Sequence, residues 1–424
     1  MSGVVASSTR VTDIAVNLAD CVFRGFDWKN KKIHADDFTS MMARADAAGV
    51  HRSIISGTSL EQCVRALYLC RQFPGKLYCT IGVHPANSSE FLAPVNPKLA
   101  KFIRDGGCGG DAMGRGRNGD GVPRMEPFSS LCPLLMVDPT ASAHTYGSPM
   151  TFESLSEEVK EAWKVSGQEG MQRTMIEAGE QRLELLKELI LQNRDVVVAV
   201  GECGLDGTET TYCPLHVQEY FFRRQIHLAQ KVDLPLFLHS RECGMQFADV
   251  ICGGNSTSPT ISNDNDDGNL HNIVKKVGGV VHSFCGGVDE LQCLLTKTPL
   301  YLGLNGTAFR SEETAMMCCN NIPLNRLMLE TDSPWCDIRK DNFGFKFIKT
   351  VFPTKKKDKF VEGCCVERRN EPCHMRQVLE VYEGCLKIAK PDDMDIDEVS
   401  ILNIGNMTEA NVNNLFFPKR GTPT

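Results

Sequence analysis

The chain has 424 residues, 42% of them hydrophobic and 23% charged, with a formal net charge of −7. This is ordinary globular composition with enough length for a sizeable core. It contains no apolar run that would cross a bilayer, and its acidic balance speaks against a protein that holds nucleic acid by bulk charge alone.

Reading along the chain, short apolar runs alternate with amphipathic helical segments. The runs are Asp13–Leu18, Ser53–Gly57, Leu77–His84, Val196–Glu202, Leu236–His239, Gly279–His282, Tyr301–Gly306 and Leu327–Asp332. Between them, Thr58 and Glu61 have capping-box spacing before a helical pattern at Leu60, Val64 and Leu67. Glu180–Asn193 and Val217–Val232 also carry helical spacing. Continuous apolar strands alternating with helices imply a parallel sheet buried on both faces. Eight such units predict an α/β fold of the (β/α)8, TIM-like barrel type, as one domain over residues 12–418. An open doubly wound sheet is the alternative, but Asn17-Leu-Ala-Asp-Cys21 is not the glycine-rich phosphate loop such a sheet carries after its first strand.

Two tracts break the rhythm. Gly106–Gly121 holds 8 glycines in 16 residues, and prolines interrupt the stretch that follows. Gly253–Asn269 is rich in Asn, Ser, Asp and Gly. They read as flexible insertions, residues 104–179 between strands three and four and residues 253–271 between strands five and six.

The chemistry lies where the apolar runs stop. Runs three, four, five, six and eight end on His84, Glu202, His239, His282 and Asp332. Taken singly, a strand-end histidine is usually a hydrogen-bonded structural residue, and a lone aspartate is usually the cap of the next helix. Five such residues at the converging ends of a barrel point to a site. Glu202, His239, His282 and Asp332 are mixed N and O donors suited to Zn²⁺ and Mn²⁺ and, less well, Mg²⁺. Such an ion lowers the pKa of a coordinated water and neutralises charge on phosphate oxygens. Asp332 is the candidate to take the proton while also acting as ligand.

The charge distribution adds a second signal. Arg339–Arg376 holds 11 Lys/Arg against 5 Asp/Glu, within a chain that is otherwise acidic. Lys355, Lys356 and Lys357 form a solvated loop or a phosphate-binding arm, and a nuclear-localisation reading of the same lysines is weaker. Trp335 reads equally as core or as a platform for an unpaired base. Cys364-Cys365 and Cys373-His374 fit no standard zinc pattern and read as structural cysteines. The 19 cysteines are odd in number and scattered, which fits a reducing compartment. No secretory signal is expected in residues 1–12, so the expected setting is intracellular, cytoplasmic or nuclear.

On these residues the chain resembles the TatD family of metal-dependent deoxyribonucleases, in particular its eukaryotic members. The matching segments are Asp13-Ile-Ala-Val-Asn-Leu18, Gly82-Val-His-Pro85, Gly201-Glu-Cys-Gly-Leu-Asp206, Leu238-His-Ser-Arg241, His282-Ser-Phe284, Glu330-Thr-Asp-Ser-Pro334, Phe352-Pro-Thr-Lys-Lys-Lys357 and Arg369-Asn-Glu-Pro372. The resemblance implies a divalent-metal-dependent nuclease that hydrolyses DNA phosphodiester bonds, often as an exonuclease, with one or two ions (Mg²⁺, Mn²⁺ or Zn²⁺) per chain. It implies Glu202, His239, His282 and Asp332 as metal ligands, and His84 as a catalytic or substrate-contacting residue. Arg369 and Glu371 would form part of the rim that orients the DNA backbone, with Lys355, Lys356 and Lys357 binding substrate beside them. Many members carry His-x-His at the end of strand one; here those positions are Ala15 and Asn17. A second metal site resting on Asn17 would therefore be weak.

Two other classes compete. A small-molecule amidohydrolase on the same barrel would be expected to open with His-x-His and to place a lysine where Glu202 stands. A non-catalytic nucleic-acid-binding homologue would be expected to have lost ligands that are all present here. No membrane association is expected, and a monomer is favoured.

Overall fold

A computed structural model of the chain describes residues 9–27, 31–108, 173–253, 270–390 and 399–418. Most of both expected insertions, residues 109–172 and 254–269, therefore lies outside the described residues. Eight strands form one sheet in chain order: β1 (Val11–Val16), β2 (Val50–Ile55), β3 (Leu77–Ile81), β4 (Val197–Asp206), β5 (Leu236–Arg241), β6 (Gly279–Val281), β7 (Tyr301–Leu304) and β8 (Leu327–Leu329). The pairs β1–β2, β3–β4, β4–β5, β6–β7 and β7–β8 are parallel. Past the end of β8 the chain returns to β1 through a parallel bridge between Val16 and Ser333. This is the (β/α)8 barrel expected from the eight apolar runs.

The chain divides into two compact units: Met1–Ile55 with Val280–Gln292 and Leu300–Thr424, and Ser56–Gly279 with Cys293–Pro299. In the first, every residue of β1 is buried, and the helix Ile401–Phe416 packs on β1 and β8 through Ile404 and Val412. The Asp332 N–H donates to the Ala15 carbonyl (2.9 Å) and the Asn17 N–H to the Ser333 carbonyl (2.7 Å), fixing the ends of β1 and β8 side by side.

In the second unit, β4 is buried along all its residues. The helix Leu215–Val232 covers it with Val217, Phe221, Ile226 and Ala229. Each such large apolar side chain contributes roughly 1.5–3 kcal/mol when buried.

Three local readings change. The helix Leu60–Gln72 is capped by Ser59, whose hydroxyl accepts from the Gln62 N–H, rather than by Thr58. The Thr58 carbonyl instead receives the His84 N–H at 2.9 Å and the Asn87 side-chain amide at 2.8 Å. The helix expected from Glu180 begins at Arg173 and ends at Gln192, so residues 173–179 of the expected insertion are helical. Strand four does not stop at Glu202. Its apolar pattern resumes at Cys203 and Leu205, both fully buried, and it runs on to Asp206.

Among the described residues no helix is long and apolar enough to cross a membrane.

Candidate metal centre

Two glycines bring the first group together. Gly201 and Gly204 have φ of 148° and 151°. A Cβ on Gly201 would collide with the Phe237 carbonyl oxygen, and one on Gly204 with the His239 carbonyl oxygen. Without side chains they let β5 lie close against β4, with Gly204 opposite His239 in the ladder. Glu202 and Asp206 are four apart on β4 and share a face. His239 lies between them, its Nδ1 2.9 Å from Glu202 Oε1 and its Nε2 3.0 Å from Asp206 Oδ2. Asp206 Oδ1 accepts from the N–H and hydroxyl of Thr208 at 2.9 and 2.6 Å.

Burial alone would raise the Asp206 carboxyl and lower the His239 imidazole. Their mutual hydrogen bond and opposite charges outweigh it, so Asp206 is held well below the usual carboxylate range and His239 is raised.

His84 follows β3 and is wholly buried. Its Nδ1 accepts from the Ala86 N–H at 3.1 Å. A neutral ring then carries its proton on Nε2, the nitrogen that lies 3.5 Å from Glu202 Oε1. The ring meets His239 edge-on, with centroids 4.4 Å apart.

The second group sits on the other unit. Asp332 follows β8 in the left-handed region, with φ 52°, a conformation aspartate tolerates better than most residues. Its Oδ1 accepts the Asn17 side-chain amide at 3.1 Å, and its Oδ2 accepts the Cys336 thiol at 3.2 Å. His282 follows β6, with Nδ1 3.4 Å from Glu330 Oε1. That oxygen also accepts from the Ser283 N–H at 2.7 Å and the Asn305 amide at 3.0 Å. Gly303 leaves room for Glu330, since a Cβ there would stand 2.7 Å from Glu330 Oε2.

These residues fit a divalent ion by donor chemistry. His84, Asp206 and His239 each offer one ligand atom, all within 4.8 Å of one another. His239 and His282 both have a carboxylate at a ring nitrogen, the arrangement that orients metal-binding histidines and raises their basicity.

The other sequence candidates fall elsewhere. Arg369 and Glu371 do not stand on an open rim. Arg369 is buried, and its guanidinium binds Asp37 at 2.6 and 2.9 Å and Glu371 at 2.8 Å. Glu371 is fully buried and also takes Arg44. A buried guanidinium needs these partners, so the group fixes the chain after β8 from inside. Lys355, Lys356 and Lys357 are exposed. Lys356 and Lys357 line a cleft of about 360 Å³ with Phe26, Pro334 and Arg368. Trp335 is half-buried, and Asn17 directs its amide nitrogen at Asp332.

Sequence reasoning assigned no role to Asp206, Glu330, Asn305 or Cys336. Asp206 closes the Gly-Glu-Cys-Gly-Leu-Asp segment and Glu330 opens Glu-Thr-Asp-Ser-Pro, so both had a signal. Asn305 and Cys336 had none.

A parallel barrel whose strand ends carry histidines backed by carboxylates defines a barrel hydrolase with groups suited to metal. The chain belongs to the family described as TatD related DNase, whose profile matches residues 26–416. It is similar to "Deoxyribonuclease Tat-D" of Schizosaccharomyces pombe, 30% identical over 93% of each chain. It is also similar to "3'-5' ssDNA/RNA exonuclease TatD" of Edwardsiella piscicida, 24% identical over 87% of this chain and 88% of that one. Among solved structures, a hydrolase TatD family protein from Entamoeba histolytica superposes with a TM-score of 0.65 at 22% identity, covering 97% of this chain and all of that one. At that identity it speaks for the fold.

Proposed function

We propose that the chain is a divalent-metal-dependent deoxyribonuclease that hydrolyses DNA phosphodiester bonds, with exonuclease activity. The observation that carries this reading is His239 held between Glu202 and Asp206 in a chain of the TatD-related family. Glu202, His239, His282 and Asp332 would hold the ion, Mg²⁺, Mn²⁺ or Zn²⁺. The carboxylates behind both histidines support that assignment. When bound, the ion would supply positive charge to the phosphate oxygens and lower the pKa of a coordinated water.

The protein's own groups do the rest. Asp332 accepts the proton of the attacking water, its carboxylate aimed by Asn17 and Cys336. His84, its Nε2 3.5 Å from Glu202 Oε1, serves as a catalytic or substrate-contacting residue beside the ion. Asn17, with its amide nitrogen engaged, leaves a second ion weakly held, so one tightly bound ion is the working number. Lys355, Lys356 and Lys357 contact the DNA backbone without reading sequence. Their exposure and the cleft beside Pro334 favour a polyanion over a small amide substrate. Arg369 and Glu371 orient the DNA indirectly, by fixing the segment from which the lysines project.

We assign the chain to a reducing intracellular compartment, cytoplasmic or nuclear, and to a monomer. Among the described residues Cys63, Cys70, Cys79 and Cys203 are free thiols, which supports the compartment.

The test is hydrolysis of single-stranded, double-stranded and abasic DNA with Mg²⁺, Mn²⁺ and Zn²⁺ compared. Metal-dependent release of nucleotides from DNA ends supports the reading. Metal-dependent cleavage of small amides with no action on DNA would overturn it.

A further inference from the structure

Cys365 and Cys373 are eight residues apart in sequence, and their spacing to His374 matches no standard zinc motif. The fold nevertheless joins them. Short strand β9 (Thr354–Lys355) pairs with β10 (Cys365–Val366), which brings Cys365 to the base of the lysine loop. The turn Pro372–His374 delivers the other two residues.

The Sγ atoms of Cys365 and Cys373 are 3.8 Å apart, and both lie within 4.8 Å of a ring nitrogen of His374. Two thiolates bound to one tetrahedral Zn²⁺ at about 2.3 Å each stand about 3.8 Å apart. The thiols are buried against Ala48 and Phe352, so solvent does not disperse the pair.

The histidine ring is fixed by its neighbours. Asn370 donates its amide to the Thr331 and Trp335 carbonyls at 2.8 and 2.6 Å, which fixes its Oδ1 as an acceptor. That oxygen lies 2.8 Å from His374 Nδ1. Nδ1 also accepts from the Glu371 N–H at 3.2 Å, so Asn370 and Glu371 together hold the ring beside the two thiols.

Glu371 Oε2 stands 4.0 Å from Cys373 Sγ. A cleft of about 560 Å³, lined by Cys365, His374 and Arg368 among others, adjoins the group.

We propose that Cys365, Cys373 and His374 form a second metal site, separate from the candidate catalytic centre and selective for a thiophilic divalent ion of the Zn²⁺ class. Thiolates disfavour Mg²⁺ and Mn²⁺, so the two sites differ in the metal they take. Occupancy would staple β10 to the start of the helix Met375–Ala389, fixing the base of the lysine loop. The proposal does not depend on the nuclease reading.

The test uses the full chain, stripped of metal under reducing conditions and titrated with Co²⁺. Tetrahedral thiolate ligation gives a sulfur-to-cobalt charge-transfer band that carboxylates and imidazoles cannot produce. The band should appear at about one equivalent in the parent and in Asp332→Ala, and be lost in Cys365→Ser and Cys373→Ala. No band, or a band that survives both cysteine changes, would overturn the site. Should those variants fail to fold, the parent alone decides. Zn²⁺ should protect Cys365 and Cys373 from alkylation relative to Mg²⁺, as read by mass spectrometry of the peptides. Equal labelling with either ion would overturn the proposal.

Discussion

Asn17 donates its side-chain amide to Oδ1 of Asp332 at 3.1 Å, across the point where β8 returns to β1. Asn17, one residue past the end of β1, thus aims the carboxylate proposed to take the proton.

Asn17→Ala should lower kcat by about tenfold or more while leaving KM nearly unchanged, because a hydrogen bond to a charged group contributes about 1.5–3 kcal/mol. Steady-state kinetics on a DNA substrate decide. A rise in KM at constant kcat would make Asn17 a substrate contact instead.

Gly204→Ala should destabilise the fold by more than about 2 kcal/mol, since the added Cβ meets the His239 carbonyl oxygen and the backbone sits at positive φ. Urea unfolding measures this. A midpoint equal to that of the parent would show that β4 and β5 can separate at no cost, and the reason given for His239 standing next to Glu202 would fail.

The Asp37–Arg369–Glu371–Arg44 network sets an acid limit to stability. Burial would raise both carboxyls, but Arg369, with Arg44 beside it, holds Asp37 and Glu371 below their ordinary values of 3.8 and 4.5. For carboxyls depressed in the folded state, the stabilisation is complete above the unfolded pKa and lost as pH falls through the folded one. Stability should therefore drop below about pH 4. Glu371→Gln should be roughly 3–5 kcal/mol less stable at pH 7 and lose less on acidification, because it removes one partner of a buried ion pair. Parallel pH profiles for the parent and Glu371→Gln would contradict this.

Changing Lys355, Lys356 and Lys357 together to Ala should weaken DNA binding and flatten its dependence on salt, as counterion release falls with each lost phosphate contact. Binding titrations across a range of salt concentrations read the slope. An unchanged slope would leave the lysines as solvated surface.

The barrel was legible because a strand buried on both faces needs an unbroken apolar run, and eight such runs survive in the sequence. The histidines and acids stood out because each interrupts or follows one of those runs. Asp206 was harder to see. The apolar pattern resumes at Cys203 and Leu205 after the interruption at Glu202, but whether β4 continues depends on two glycines accommodating the neighbouring strand. Arg369 and Glu371 look like surface charge in sequence, and only the approach of Asp37 and Arg44, more than 300 residues away, shows them to be internal. Cys365 and Cys373 read as structural cysteines because their spacing matches no standard zinc pattern. Their proximity is set by β10, which carries Cys365, and the turn Pro372–His374, which carries Cys373, and not by any motif.

Asp332→Asn bears most directly on the central claim that Asp332 serves the reaction as base as well as ligand. The change keeps the shape and one oxygen donor and removes the group that accepts a proton. Single-turnover hydrolysis of DNA should be measured with metal content and DNA affinity determined on the same samples. The account predicts that metal and DNA remain bound while turnover falls by about 10²–10⁴. Turnover near that of the parent would contradict it and leave Asp332 a ligand alone.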